Sequence, residues 1–459
     1  MNIRPATESR SRHQGHQGEL LRILGVTFGV AVTIGGMIGV GILRTPGTVA
    51  AQLGNAWGIL AVWVVGGIYS LCGTISVAEL ATSLPRAGGW YVYARRAFGN
   101  YAGFTVGWCE WLSGAAAFAF TITVIGEYAA KLAPDVLTNT RRTGLVLIAP
   151  LLFLNWAGLR AGSRFQEWAS FLKAIAFLIL VLAIFLFGGV SPSDAAEAAA
   201  PEPPGPVSAA ALLVAVMLAL QPVIYAYDGW YSAIYCAEEN RDPARSLPRG
   251  MVWGVLTVTA VYLLVNLAFL YALPVARLAS STLPAADAAR EVFGGRTDQF
   301  VTVLALLSLP SLANVQMLTS PRVLFAMSRD GLLPRSTARV NRGGTPAVAL
   351  LVHALTAAFL VITGTYERLL AITTFLFVLV YGSGFLAILT LRNTEPSLLR
   401  PYRVWAYPWT PLVVLIGSFV FLVGVFLSDT ANSVYAVALI LISSPLYLMM
   451  KRRTRTAGS

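Results

Sequence analysis

The chain has 459 residues, of which 56% are hydrophobic and 12% charged, with a mean hydropathy of +0.69. No water-soluble domain of this size carries such a surface, so its solvent is lipid. The formal net charge of +12 would suggest nucleic acid in a soluble protein, but here the basic residues sort by side of a membrane.

A bilayer core of roughly 30 Å takes about 20 apolar helical residues to cross. The sequence predicts an all-α integral membrane protein of about twelve spans, at 22–49, 57–83, 101–131, 142–160, 165–187, 208–236, 250–273, 298–328, 345–363, 366–391, 409–427 and 432–450. The apolar runs are continuous and lack the alternation that a closed barrel requires. The first twenty residues are polar and the first apolar run is too long for a cleaved signal peptide, so the first span doubles as the insertion signal.

Of the 33 Lys and Arg residues, 23 fall in segments that share a side with the N-terminus. That bias predicts a cytoplasmic N-tail, 1–21, and a cytoplasmic C-tail, 451–459, of a multi-pass inner-membrane protein. The segment GGVSPSDAAEAAAPEPPGPV, 188–207, reads as an extracellular linker between two halves. A later outer loop contains AADAAREVF, which can form an amphipathic helix over the outer mouth. Three separated cysteines read as packing residues, and three histidines without a ligand cluster argue against a metal site or other cofactor.

Glycine interrupts the first span at IGGMIGVGIL and the sixth at YAYDGWYSA. Gly39 and Gly229 are about 190 residues and five helices apart, the spacing of matching elements in two inverted five-helix repeats. The halves would be 22–187 and 208–392, with 409–450 outside the repeat. A helix that stops at membrane depth frees backbone groups that must find partners. A carboxylate suits the N-terminus of the half-helix beyond the break; close packing through small residues is the other reading of these glycines.

In the sixth span Pro222 removes a backbone donor, and Asp228 and Gly229 interrupt an apolar run beside Tyr225, Tyr227, Trp230 and Tyr231. Asp228 reads either as a ligand contact or as a cap on the second half-helix, and the two are compatible. Lys173 lies mid-span in FLKAIAFLILVLAIF, where an ammonium can hold or release a proton and stand in for a coupling sodium, or else snorkel past Glu167. Ser308, Ser311 and Asn314 share one face of the eighth span and can line a pathway, accept from Lys173, or simply bond between helices. Arg44, Glu79 and Glu110 receive no role.

The segments IGGMIGVGIL, LPRAGGWYVYARRAFG, AYDGWYSAIYCAEENRDPARSLPRG, the fifth-span lysine and VLFAMSRDGLLPR together resemble the amino acid–polyamine–organocation superfamily. Within it the chain is similar to bacterial relatives of the L-type amino acid transporters. The resemblance implies a LeuT-type 5+5 inverted repeat with helices 1 and 6 unwound at the binding site. It implies that amides of Ile38, Gly39, Val40 and Gly41 bind a substrate carboxylate, while carbonyls near Tyr225 to Tyr227 bind its amino group. It further implies that Lys173, with Ser308, replaces a sodium ion. Val40 departs from the small residue usual there. The outer loop 132–141 has no cysteine, so no disulfide-linked heavy chain is expected.

The expected function is sodium-independent secondary transport of amino acids, by exchange or proton symport. The nearer rival is a polyamine or cationic amino acid carrier, with Asp228 pairing a side-chain cation. A membrane enzyme or a channel fits poorly, because no nucleophile–base constellation and no repeated filter loop is visible.

Overall fold

The computed structural model describes residues 20–39, 41–133, 137, 139–188, 208–281, 283–294, 297–364, 366–428 and 430–456. Val40, residues 1–19 of the N-tail, 189–207 of the linker and 457–459 of the C-tail therefore lie outside the described residues.

Within them the fold is all-helical. The helices are α1 (Val26–Met37), α2 (Gly41–Leu53), α3 (Ala56–Ser83), α4 (Trp90–Phe98), α5 (Asn100–Leu132), α6 (Thr140–Ala157), α7 (Leu159–Phe187) and α8 (Ala209–Ala226). A 3₁₀ segment (Ser232–Glu239) then precedes α9 (Pro243–Ala272), α10 (Val275–Ser280), α11 (Pro284–Phe293), α12 (Thr297–Arg329), α13 (Ala347–Thr363), α14 (Tyr366–Thr394), α15 (Trp409–Ser428) and α16 (Thr430–Thr456). Seven of these are long and apolar enough to cross a bilayer, and α1 with α2 forms an eighth span bent by 52°. Shorter apolar helices at 211–226, 347–363 and 409–424 add three more. Helix α6 fills the position of the fourth predicted span.

The sequence reading misplaced several boundaries, each for a local reason. Helix α7 begins six residues before its predicted start, because Gly158 at φ 137° turns the chain in a single residue. Helix α9 likewise starts early, with Pro243 in its first turn, where the missing N–H costs nothing. Helix α4 was read only as a motif. The AADAAREVF stretch is helical, as α11.

The two interruptions set the centre of the molecule. Helix α1 stays helical through Gly35 and Gly36 and stops at Met37, with Ile38 extended at φ −75°, ψ 103°. Helix α8 stops at Ala226, and the chain turns over 227–231 before the 3₁₀ segment. These breaks meet backbone to backbone. A Cβ on Gly229, which holds φ +103°, would lie 2.6 Å from the carbonyl carbon of Gly36, and one on Gly36 would lie 2.7 Å from Ser232 Oγ. Any side chain at either position would force the broken segments apart.

The far ends of the same segments are also tied. The N–H groups of Ile23 and Leu24 both donate to the Glu239 carbonyl at 3.0 Å, and Arg241 N–H donates to the Leu24 carbonyl at 3.0 Å. Glu238 takes two bonds from Arg329, at 2.7 and 2.8 Å, and the Ala87 N–H at 3.0 Å. Glu239 takes Arg322 in a fork, Nε at 2.6 Å and Nη2 at 2.8 Å, with both side chains buried. The 3₁₀ segment is thereby locked to α12.

Removing one partner of a buried pair strands the other charge, at about 3–5 kcal/mol, whereas replacing both with apolar groups costs far less. Arg322→Met and Glu239→Leu alone should each lower the melting temperature of the purified protein markedly, and the double variant should recover most of the loss. Single variants that melt with the parent would show that the pair does not hold this end.

Candidate functional site at two helix breaks

A helix that ends inside the membrane leaves carbonyls unbonded at its C-terminus, and the partial negative charge there favours a cation. Lys173 of α7 answers this at the first break. It is fully buried, and its Nζ donates to the Gly35 carbonyl at 3.1 Å and the Ile38 carbonyl at 2.6 Å. It does not reach past Glu167 toward the interface. Ser308 of α12 approaches the same Ile38 carbonyl at 3.4 Å. The serine is thus a second donor to that oxygen and not an acceptor for the lysine.

Tyr262 of α9 joins the two breaks directly. Its hydroxyl lies 2.8 Å from the Met37 carbonyl and 2.8 Å from the Ala226 carbonyl, so one proton is shared between the last carbonyls of both half-helices. Sequence reasoning missed this residue. The only signal was one hydroxyl inside an apolar run, which is common and unspecific.

Beyond the first break, the amides at the start of α2 have no acidic residue in the first turn to compensate them. They adjoin a cavity of about 440 Å³ lined by Gly39, Gly41, Arg44, Tyr225, Asp228 and Gly229, with Glu110, Leu312 and Phe377 among its other walls. Asp228 accepts the hydroxyls of Tyr381 and, at 3.4 Å, Tyr231. The 3₁₀ segment itself has no side-chain cap, and the backbone N–H that Asp228 accepts is that of its neighbour Gly229 at the break.

The remaining expected site residues divide. Val40 lies outside the described residues. Tyr227 is buried with its hydroxyl on the Trp63 carbonyl at 3.0 Å and its ring against Trp63 and Tyr262, facing away from the cavity. Trp230 packs in an aromatic cluster with Trp90, Tyr231, Tyr381 and Phe385, and borders instead a second space of about 30 Å³, the size of a water, which Asp228 also lines.

Ser311, expected beside Lys173 as a coupling residue, and Asn314, expected to line the pathway, take the alternative reading of bonds between helices. Ser311 lies 2.9 Å from Gln166 Nε2 and 3.1 Å from Ser170 Oγ, and Ser170 donates to the Ala31 carbonyl at 2.7 Å. Asn314 bonds Gln166 Oε1 at 2.9 Å, the Gly162 carbonyl at 3.1 Å and Asn155 Nδ2 at 2.9 Å. The spacing correctly put 308, 311 and 314 on one face, but that face meets α1, α6 and α7. The adjacent face, with Leu309, Leu312 and Gln316, lines the cavity. Glu79 is structural as well, holding Arg392 at 2.8 Å, Arg400 at 3.3 Å and the Val404 N–H at 2.7 Å.

A model of the amino acid permease family matches residues 26–448. The serine/threonine exchanger SteT of Bacillus subtilis is 28% identical over 442 residues, covering 95% of this chain and 98% of that protein. The Asc-type amino acid transporter 1 of Mus musculus is 28% identical over 94% of this chain and 81% of its own length. The b(0,+)-type amino acid transporter 1 of the same species is 26% identical over 92% and 86%. With a match across nearly the whole of its helical length, this multi-span membrane protein belongs to the amino acid permease family.

Proposed function

We propose that the protein is a sodium-independent amino acid transporter that works by alternating access, as an exchanger or a proton symporter. The carrying observation is that amides at the start of α2 and the last carbonyls of α1 and α8 converge on one cavity, while Lys173 occupies the carbonyl cluster that a cation would otherwise fill. A zwitterion fits that polarity, its carboxylate toward Gly39 and Gly41 and its amino group toward the end of α8. The relatives are named as amino acid exchangers and transporters, which supports the same substrate class.

In this reading 22–187 and 208–392 are the two inverted repeats, with 409–450 outside them. Both termini are cytoplasmic, as the basic bias implies, in the inner membrane. The tied ends of α1 and the 3₁₀ segment then form the closed cytoplasmic side, and transport requires the Glu238 and Glu239 pairs to yield. The protein is a carrier rather than an enzyme, and it works without a disulfide-linked heavy chain.

Asp228 keeps the cationic amino acid or polyamine reading open, because its carboxylate borders the cavity among aromatic rings. Asp228→Asn separates the two. Selective loss of lysine, arginine or putrescine uptake would assign Asp228 to a substrate cation, whereas a selectivity pattern left intact assigns it to holding Tyr381 and Tyr231.

Two further outcomes follow from the backbone site. Amino acid methyl esters and amides should fail to compete for uptake in proteoliposomes, and strong competition by either removes the carboxylate from α2. Lys173→Ala should cut uptake about tenfold or more, since it leaves two buried carbonyls without their charged donor. Uptake by the unmutated protein should stay the same when sodium is replaced by choline; a sodium requirement would overturn the role given to Lys173.

A further inference from the structure

Glu110 of α5 is buried, borders the cavity and has no part in the contacts between the two breaks. Its carboxylate receives donors only. The Trp90 N–H reaches Oε1 at 3.1 Å, the Tyr91 N–H reaches Oε2 at 2.9 Å, and the Tyr235 hydroxyl of the 3₁₀ segment is the third. Gly89, at φ +59°, makes the approach possible, since a Cβ there would lie 2.8 Å from Glu110 Oε1 and 2.6 Å from the Tyr235 ring. One carboxylate therefore fastens the N-terminus of α4 and the 3₁₀ segment together at the wall of the cavity.

Among the described residues no cation is paired with it. Arg86 and Arg95 bind Asp330, as does the Tyr91 hydroxyl, while Arg329 binds Glu238 and Arg322 binds Glu239. The titratable neighbours are otherwise neutral groups: Tyr93 on α4, Cys109 on α5 itself, and Tyr231 beside the 3₁₀ segment. Tyr381 of α14 is committed to Asp228, the other cavity carboxylate, and His353 of α13 sits against Phe118, about two turns along α5. A proton reaching Glu110 from the cavity thus displaces no ion pair.

We propose that Glu110 is the proton-binding site of a proton–amino acid symport, an inference that rests on the transport reading above. A proton added to either oxygen adds an O–H donor and leaves that oxygen a weaker acceptor. Its bond from the α4 amide weakens, and where the new O–H turns to the Tyr235 oxygen that hydroxyl must stop donating. Either way the joint between α4 and the 3₁₀ segment is rebuilt, next to the Glu238 and Glu239 pairs that hold the cytoplasmic end. The proton enters from the outer cavity with substrate and leaves to cytoplasmic water once that end opens.

The test is purified protein in liposomes, loaded or unloaded with substrate, with labelled L-serine, L-threonine and L-alanine outside and an acid-outside pH gradient imposed. The gradient should accelerate uptake into unloaded liposomes several-fold, with acidification of an internal pH dye. Glu110→Gln should abolish both responses, and Glu110→Asp should restore them in part. Each variant is first checked for parental elution and melting. A Glu110→Gln protein that keeps the gradient response overturns the proposal, and so does a parent protein that moves amino acids only by exchange, in which case the transport reading stands. If no labelled amino acid enters under any condition, the transport reading itself fails.

Discussion

The close approach of Gly36 and Gly229 is the constraint from which the rest of the centre follows. Two helices crossing at membrane depth can touch backbone to backbone only where neither carries a side chain, and here both are also broken at that level. Gly36 inside α1 lowers helix stability by about 1 kcal/mol, and the unwound turns leave carbonyls in a region without bulk water. Those carbonyls then recruit the donors that surround them: the Lys173 ammonium on one side, and the single Tyr262 proton shared between Met37 and Ala226 on the other. The cavity beside them joins this broken backbone to the charged side chains of Arg44, Glu110 and Asp228.

The same logic explains how a local event at the breaks can reach the ends of the helices. Lys173, Ser308 and Tyr262 come from α7, α12 and α9, so the first half-helix is held by three neighbours at its inner end. At its N-terminal end it is held by the Glu239 carbonyl through Ile23 and Leu24. Helix α1 and the 3₁₀ segment are therefore one mechanical unit fixed at two points, and a ligand that competes for the inner carbonyls changes the balance at the other. Such a device needs a difference in affinity between two arrangements, which substrate bound to backbone groups supplies.

Much of this was legible in the residues. Hydropathy located the helices, and glycine with Asp228 located both breaks, because helix propensity and membrane insertion penalise those residues strongly enough to stand out. Lys173 stood out for the same reason. Polar residues at helix-packing faces were harder, since a serine or asparagine costs little when it bonds across to a neighbour. Ser311 and Asn314 were read as pathway residues because their spacing gives a common face but not the direction in which that face points. Tyr227 and Trp230 failed likewise, since a turn re-aims successive side chains and a strip of aromatic residues does not say which ring meets the cavity. Tyr262 and Glu110 were beyond reach, because their meaning lies in partners 225 and 20 residues away.

The central claim is that an amino acid binds to the backbone freed at the two breaks. Hydrogen–deuterium exchange of the purified protein, with and without saturating L-serine and related neutral amino acids, tests it most directly. Binding should slow exchange in 38–45 and 225–232, while the Gln166, Ser170 and Asn314 cluster stays unchanged. Saturable transport with no protection at either break, or protection confined to other helices, would contradict the account.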